Sequence, residues 1–412
     1  MNKIQQQLVC ALDAFMNKTQ VNICLSEPEE WMQLYGLARE HSIIPMVMEM
    51  VSKEMMQQLP PQAAVGIQRQ NMMSVVMQTQ ISQRFLAIYR ELNKQDIHAL
   101  VVKGIVCRSI YPEPDFRPSS DEDVFVQESD MERCHTIFLE QGLEVVNGQL
   151  EDSQVVTYSC PRTGLHIELH RKLFSKDSKA YGGINEAFEG VFDRAIQLEI
   201  DGTKIWTMQE TDHMLYLIFH SFKHFLHSGF GIRQVCDIGQ FARSYGTKID
   251  WKYIVERTSY FCADVFFMNL LDINCRYIGM NLEEMSFPEQ LWKQYEASID
   301  CTELLDDIFL AGIYGKSSDS RTHSSLITLN AVTSKGGSKY QNLLKTIFPS
   351  RNDLQGRFPY LKKHGFLLPL AWVQRMISYR KNSQAQSDNS AKESIEIGNH
   401  RVEIMKKYKV IR

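Results

Sequence analysis

The chain reads as an α+β protein: a small mixed sheet flanked by N-terminal helices and followed by an all-helical C-terminal domain. Three observations carry this reading. Apolar residues fall at spacings of three and four from the N-terminus to about residue 97, the period of an amphipathic helix. From His98 to about Leu173, short apolar runs of strand length alternate with one clear helix. From about Gln209 the helical period returns and persists.

A chain of 412 residues exceeds what one hydrophobic core ordinarily fills, so two or three packed units are expected. Its 44% hydrophobic and 23% charged content lies near the globular average and excludes a fibrous or wholly disordered protein. The pattern divides into an N-terminal helical region (1–97), an α/β core (98–208), a C-terminal helical domain (209–382) and a polar, flexible tail (383–412).

In the first region, EEWMQLYGLAREHSIIPMVMEMV and ISQRFLAIYRELNKQ predict helices, and Pro60 and Pro61 break the series between them. In the second, strands are predicted at His98–Lys103, Asp123–Val126, Val155–Ser159 and Leu165–His170. The stretch Ser129–Gln141 predicts a helix. Ser129 is its expected N-cap, Glu132 completes a capping box, and Gly142 follows its end. Further on, Ser317–Lys339 has the Ser, Thr and Gly content of a mobile loop, and Ser383–Asn399 the polarity of a disordered stretch.

The formal net charge is −4, with acidic and basic residues mixed along the chain, so no long polyanion is expected as a partner. The odd number of cysteines, nine, includes no CxxC pair and predicts reduced thiols. No apolar run suits a signal peptide or a membrane span, and the expected compartment is the cytoplasm.

Chemistry concentrates in FRPSSDEDVFV. On a strand, Asp121 and Asp123 point to the same face, about 6.6 Å apart along the chain. Two such carboxylates repel, and a divalent cation relieves the repulsion. Mg²⁺, or Mn²⁺ in its place, suits a site that supplies few carboxylates and takes its other ligands from phosphate and water. In LHIELH, Leu165, Ile167 and Leu169 alternate with His166, Glu168 and His170. Beside the aspartates, Glu168 completes a three-carboxylate metal cluster of the two-ion kind.

The segment LVVKGIVCRSIYPEPDFRPSSDEDVFV, followed by HIELHRKL, resembles a family of uncharacterised bacterial nucleotidyltransferases in the polymerase-beta-like superfamily. The resemblance extends more loosely through HSFKHFLHSGFGIRQVCDIGQF and FPSRNDLQGRFPYLKKHGFLLPLAWVQR. It implies a mixed-sheet core that transfers a nucleoside monophosphate from a nucleoside triphosphate to an acceptor and releases pyrophosphate. Asp121, Asp123 and Glu168 then match the metal ligands and catalytic acids. Lys103 and Gly104 match a turn that approaches nucleotide phosphates, with Arg117 and Ser120 alongside. Two positions depart from the family pattern. Glu122 stands where an apolar residue is usual, which requires a solvated edge or a pairing with Arg117 or Arg108. Lys-Gly replaces the Gly-Ser of the wider superfamily, which removes a hydroxyl contact to phosphate.

His220, His224 and His227 share one helix face by their i, i+4, i+7 spacing. A zinc site there would lack Cys or acidic partners at metal-site spacing. A face lining a cleft, where His220 and His224 reach substrate, fits better. Arg233 and Asp237 suit a helix-surface ion pair or cleft-facing residues, and His166 and His170 flank Glu168 closely enough to move a proton or to orient it. Two other functions compete with transfer: a catalytically silent nucleotide-binding protein on the same scaffold, which Glu122 favours, and a phosphohydrolase. No motif names the acceptor.

Overall fold

The computed structural model describes residues 1–119, 121–312, 318–333, 351–354, 358–374 and 391–411. It is α+β, as the three-part periodicity predicts. Contacts divide the chain into two compact units, Met1–Ser221 with Ile232–Cys301, and Phe222–Gly231 with Thr302–Arg412.

The first unit opens with helices α1 (Lys3–Asn17), α2 (Pro28–Glu40), α3 (Ile44–Glu49), α4 (Lys53–Met56) and the long α5 (Pro61–Lys94). Pro61 stands at the first position of α5, where its missing N–H costs nothing, so the proline pair separates two helices as expected. The sheet follows. Its strands are β1 (Leu100–Val101), β2 (Asp121–Phe125), β3 (Glu144–Asn147), β4 (Val155–Ser159) and β5 (His166–His170), in the spatial order β1-β2-β5-β4-β3. Only β2 and β5 run parallel, and the stretch joining them carries α7 (Met131–Glu140), β3 and β4.

Alternation decides which face is buried. Leu165, Ile167 and Leu169 sink into a core with Val124, Val156, Tyr158 and the α5 residues Phe85, Leu86, Tyr89 and Leu92. Each such burial is worth about 1.5–3 kcal/mol. The polar residues of β5 are therefore carried on the opposite face. A separate hairpin of β6 (Ile196–Ile200) and β7 (Thr203–Thr207) lies beyond the predicted strands, as does β3. The helices α8 (Glu210–Leu226), α9 (Ile232–Tyr245), α10 (Trp251–Tyr260), α11 (Asp264–Tyr277) and α12 (Glu289–Tyr295) come next, with the end of α8 counted in the second unit.

Helix α7 matches its predicted span, and Gly142 follows it at φ +75°. Its start differs. Ser129 lies in a short 3-10 turn, and the N-cap is Asp130 with no side-chain cap bond, so the expected capping box is not formed.

The second unit corrects two expectations of irregular chain. Within Ser317–Lys339, the described residues form α14 (Asp319–Thr333), and Ala391–Lys407 forms a helix where disorder was expected. Both helices bury small or polar residues. Ser394, Gly398, Arg401, Met405 and Tyr408 make a stripe at helical spacing whose apolar content is low, and a Cβ on Gly398 would lie 2.7 Å from Ile327 Cδ1. Helix α13 (Thr302–Ala311) supplies Asp307, which holds both Arg321 and Arg401. These arginines also donate to the carbonyls of Phe225, His227 and Ser228 at the end of α8. The last carbonyls of a helix have no internal partner and carry the negative end of its dipole, so two buried cations there satisfy both needs. Residues 313–317, 334–350 and 375–390, with the rest of both predicted irregular stretches, lie outside the described residues.

All nine cysteines are free thiols. Among the described residues, no helix is long and apolar enough to cross a membrane.

Candidate active site

The parallel register of β2 and β5 places Asp121 opposite His166, Asp123 opposite Glu168, and Phe125 opposite His170. Asp123 and Glu168 therefore stand side by side on the face away from the core. His170 reaches back between them, with Nε2 3.1 Å from Asp123 Oδ1 and 3.4 Å from Glu168 Oε2. Asp123, Glu168 and His170 each offer one ligand atom, all within 4.8 Å of one another. Asp121 shares their face by alternation and is half-buried, but it is not one of this trio. Of the three carboxylates expected to cluster, Asp123 and Glu168 thus lie together in this trio, and a histidine rather than Asp121 is its third member.

Asp123 is only 3% exposed, and a buried carboxylate requires a counter-charge. Lys103, equally buried, brings Nζ to 3.8 Å from Asp123 Oδ2. Burial alone would lower the His170 pKa, but its contacts with Asp123 and Glu168 outweigh that effect and raise it to about 9. Two cations thus stand beside the acids.

Lys103 ends the run from β1 and caps α6 (Gly104–Arg108). Gly104 has φ +47°, a left-handed conformation that costs glycine little, and a Cβ there would lie 1.8 Å from Glu122 Oε2. The Lys-Gly turn and Glu122 are therefore one device. Glu122 points to the face opposite the acids, fully buried, where Oε2 accepts the Ile105 N–H at 2.7 Å and Oε1 pairs with Arg108. Burial pushes the Glu122 carboxyl above the usual range, against the pull of Arg108 and the Ile105 N–H. Of the alternatives for Glu122, the pairing with Arg108 is the one realised, and its charge stays out of the acid face.

Arg117 is fully buried, and its Nε and Nη2 donate to Asp237 Oδ1 and Oδ2 at 2.7 and 2.6 Å. The Tyr111 hydroxyl donates to Oδ1 of the same carboxylate at 2.7 Å. Burial would raise the Asp237 pKa, but Arg117 outweighs it and holds it low. Arg233, for which a helix-surface pair with Asp237 and a structural or cleft-facing place are the alternatives, is buried and donates to the Pro118 carbonyl, so it is not on a helix surface. The Ser119 N–H donates to Gln78 Oε1 of α5 at 2.7 Å, and its hydroxyl to the Asp121 carbonyl at 2.8 Å. The segment entering β2 is thus gripped from α5 and α9. Ser120, within that segment, lies outside the described residues.

On α8, His220 is buried in the first unit with its ring 5.6 Å from that of Tyr216, while His224 and His227 belong to the second unit. Tyr216 was not singled out in the sequence. Burial, then the charges of Asp123, Glu168 and Asp121, raise its phenol well above the usual value, which marks it as a neighbour of the acid face. Its one sequence signal is its place a helical turn before His220.

His213, also on α8, is buried with Nδ1 3.2 Å from the Thr207 hydroxyl, and burial lowers its pKa to about 4. An unfolded histidine titrates near 6.5, so the unfolded chain takes up this proton first as the pH falls. Stability is therefore lost between pH 6.5 and 4. The His213→Gln variant is expected to remove about 2 kcal/mol of the difference between urea-unfolding stabilities at pH 7 and pH 5. An unchanged difference would contradict the assignment.

A mixed sheet carries paired acids on one face, beside a lysine at a glycine turn, and Asp123, Glu168 and His170 there could hold a metal ion. The model of a family described as uncharacterised nucleotidyltransferase matches residues 27–273, more than half of the chain, and the protein belongs to that family. Membership supports nucleotidyl transfer as the general function and a nucleotide as substrate. No curated protein and no solved structure matches the chain.

Proposed function

We propose that the protein transfers a nucleoside monophosphate from a nucleoside triphosphate to an acceptor, with Mg²⁺ or Mn²⁺ bound at Asp121, Asp123 and Glu168 and pyrophosphate released. The observation that carries this reading is the pairing of Asp123 with Glu168 across parallel strands, with Lys103 beside them. What supports a divalent cation here is that Asp123 and Glu168, with His170, each offer a ligand atom within 4.8 Å of the others, while Asp121 shares their face. When bound, such ions neutralise phosphate charge and lower the pKa of an attacking hydroxyl.

The remaining roles fall to the chain. On this reading Lys103, released from Asp123 when an ion takes its place beside the acid, steadies phosphate charge. Gly104 supplies the left-handed turn that carries Lys103 toward the phosphates and leaves room behind it for the Glu122 carboxylate. Arg117, through Asp237, fixes the path of the chain into β2 and so the aim of Asp121 and Asp123. His220 and Tyr216 are placed to meet substrate from α8. Glu122, the feature that favoured a silent scaffold, is satisfied on the other side of the strand and leaves the acid face to its metal.

The test is incubation of the full chain with α-labelled ATP, CTP, GTP and UTP, Mg²⁺ or Mn²⁺, and mixed alcohol, sugar, peptide and protein acceptors. Pyrophosphate release with transfer of label is the expected result. Release of orthophosphate would instead indicate hydrolysis. Binding without turnover would indicate a silent scaffold, and absence of nucleotide binding by calorimetry would sink the reading.

A further inference from the structure

We infer that His170 is itself a metal ligand, and that it tunes the site toward a first-row transition ion such as Mn²⁺ over Mg²⁺. The inference rests on the metal site proposed above but concerns which ion it selects. The trio that converges is Asp123, Glu168 and His170, two carboxylate oxygens and one imidazole nitrogen. Its spacings suit a shared ion. Two ligands bound at right angles at about 2.1 Å lie about 3.0 Å apart, and His170 Nε2 stands 3.1 Å from Asp123 Oδ1 and 3.4 Å from Glu168 Oε2. Three donors already lie at the edges of a coordination shell.

The nitrogen alters selectivity. Mg²⁺ takes oxygen ligands almost exclusively, whereas imidazole favours transition-series ions. Mn²⁺ shares with Mg²⁺ the preference for carboxylate, phosphate oxygen and water, but as a first-row transition ion it also binds a mixed nitrogen and oxygen site. The His170 ring is held in place from both sides: it is 5% exposed, lies on a strand paired to neighbours on both edges, and has Nε2 turned to the acids. Among the described residues its Nδ1 has no hydrogen-bond partner, so that nitrogen can keep the ring proton when Nε2 binds metal. Asp121 lies half-buried on the same face.

The probes are the metals alone, Mn²⁺ and Mg²⁺, titrated calorimetrically into the full chain. Mn²⁺ is expected to bind at least about tenfold more tightly, and His170→Gln to lower Mn²⁺ affinity at least about tenfold, the smallest loss that even outer partners of a metal ligand produce. Mg²⁺ affinity should change less than about threefold in the same variant. Pulsed electron paramagnetic resonance of Mn²⁺ bound to the unmodified chain should show modulation from a directly bound nitrogen, a signature that a merely structural histidine would not give. Bound Mn²⁺ without nitrogen modulation, or a Mn²⁺ to Mg²⁺ ratio unchanged in His170→Gln, overturns the inference while leaving nucleotidyl transfer standing. Failure of either ion to bind the unmodified chain overturns the inference and the metal site together, whereas nucleotidyl transfer is judged separately by release of pyrophosphate.

Discussion

Replacement of Asp123 by asparagine is expected to lower nucleotide transfer about a thousandfold, the equivalent of about 4 kcal/mol of lost metal and phosphate stabilisation. The amide keeps the shape of the side chain but loses the charge that answers both Lys103 and His170. Stability should suffer far less than activity, because His170 can shed its proton once the carboxylate is gone. Label transfer and thermal melting measured on the same preparation separate the two effects. Activity within about tenfold of the unmodified protein would show that Asp123 does not hold the reacting phosphates' counter-ion.

The opposite pattern is expected one residue earlier. Glu122→Ala leaves Arg108, 1% exposed, without its carboxylate and frees the Ile105 N–H. Removing one partner of a buried pair costs about 3–5 kcal/mol, and for a chain of this size the melting temperature should fall by roughly 5 °C. The joint change Glu122→Leu with Arg108→Met removes both charges and should recover most of that loss. Gly104→Ala acts in the same direction as the single change, since its methyl would enter the space held by the Glu122 carboxylate. A Glu122→Ala protein that unfolds within about 1 kcal/mol of the original would refute a structural role for the pair.

Local periodicity carried as much of this fold as local interactions determine. Strand β4 occupies the residues its alternation predicts, and β5 begins within one residue of its predicted start, because each has one buried face written into consecutive positions. Strand β3 escaped notice because all four of its residues are exposed, which leaves no alternation to read. The helix at Ala391–Lys407 was obscured for a related reason: its buried stripe is built from Ser394, Gly398 and Arg401 as much as from apolar residues.

The candidate site divides in the same way. Asp123 and Glu168 were legible because each lies on the polar face of a strand whose other face is apolar, and the parallel register then sets them opposite each other. The partners of Arg117 and Arg108 were not legible. Asp237 is 120 positions from Arg117, a pairing that spacing within one element cannot reveal, whereas Arg233, four residues before Asp237, is the partner that helical spacing suggests. Glu122 resembled a flaw only while its surroundings were unknown.

The flanking of Asp123 by Lys103 and His170 bears on how the protein comes into being. A chain whose metal ligands repelled one another without compensation would have to meet its ion before it could finish folding. Here the acids are balanced from within, so the polypeptide can complete its structure first. If the proposed transfer needs a bound ion, chelators should then arrest the chemistry without unfolding the protein, because the ion would meet a site that is already finished.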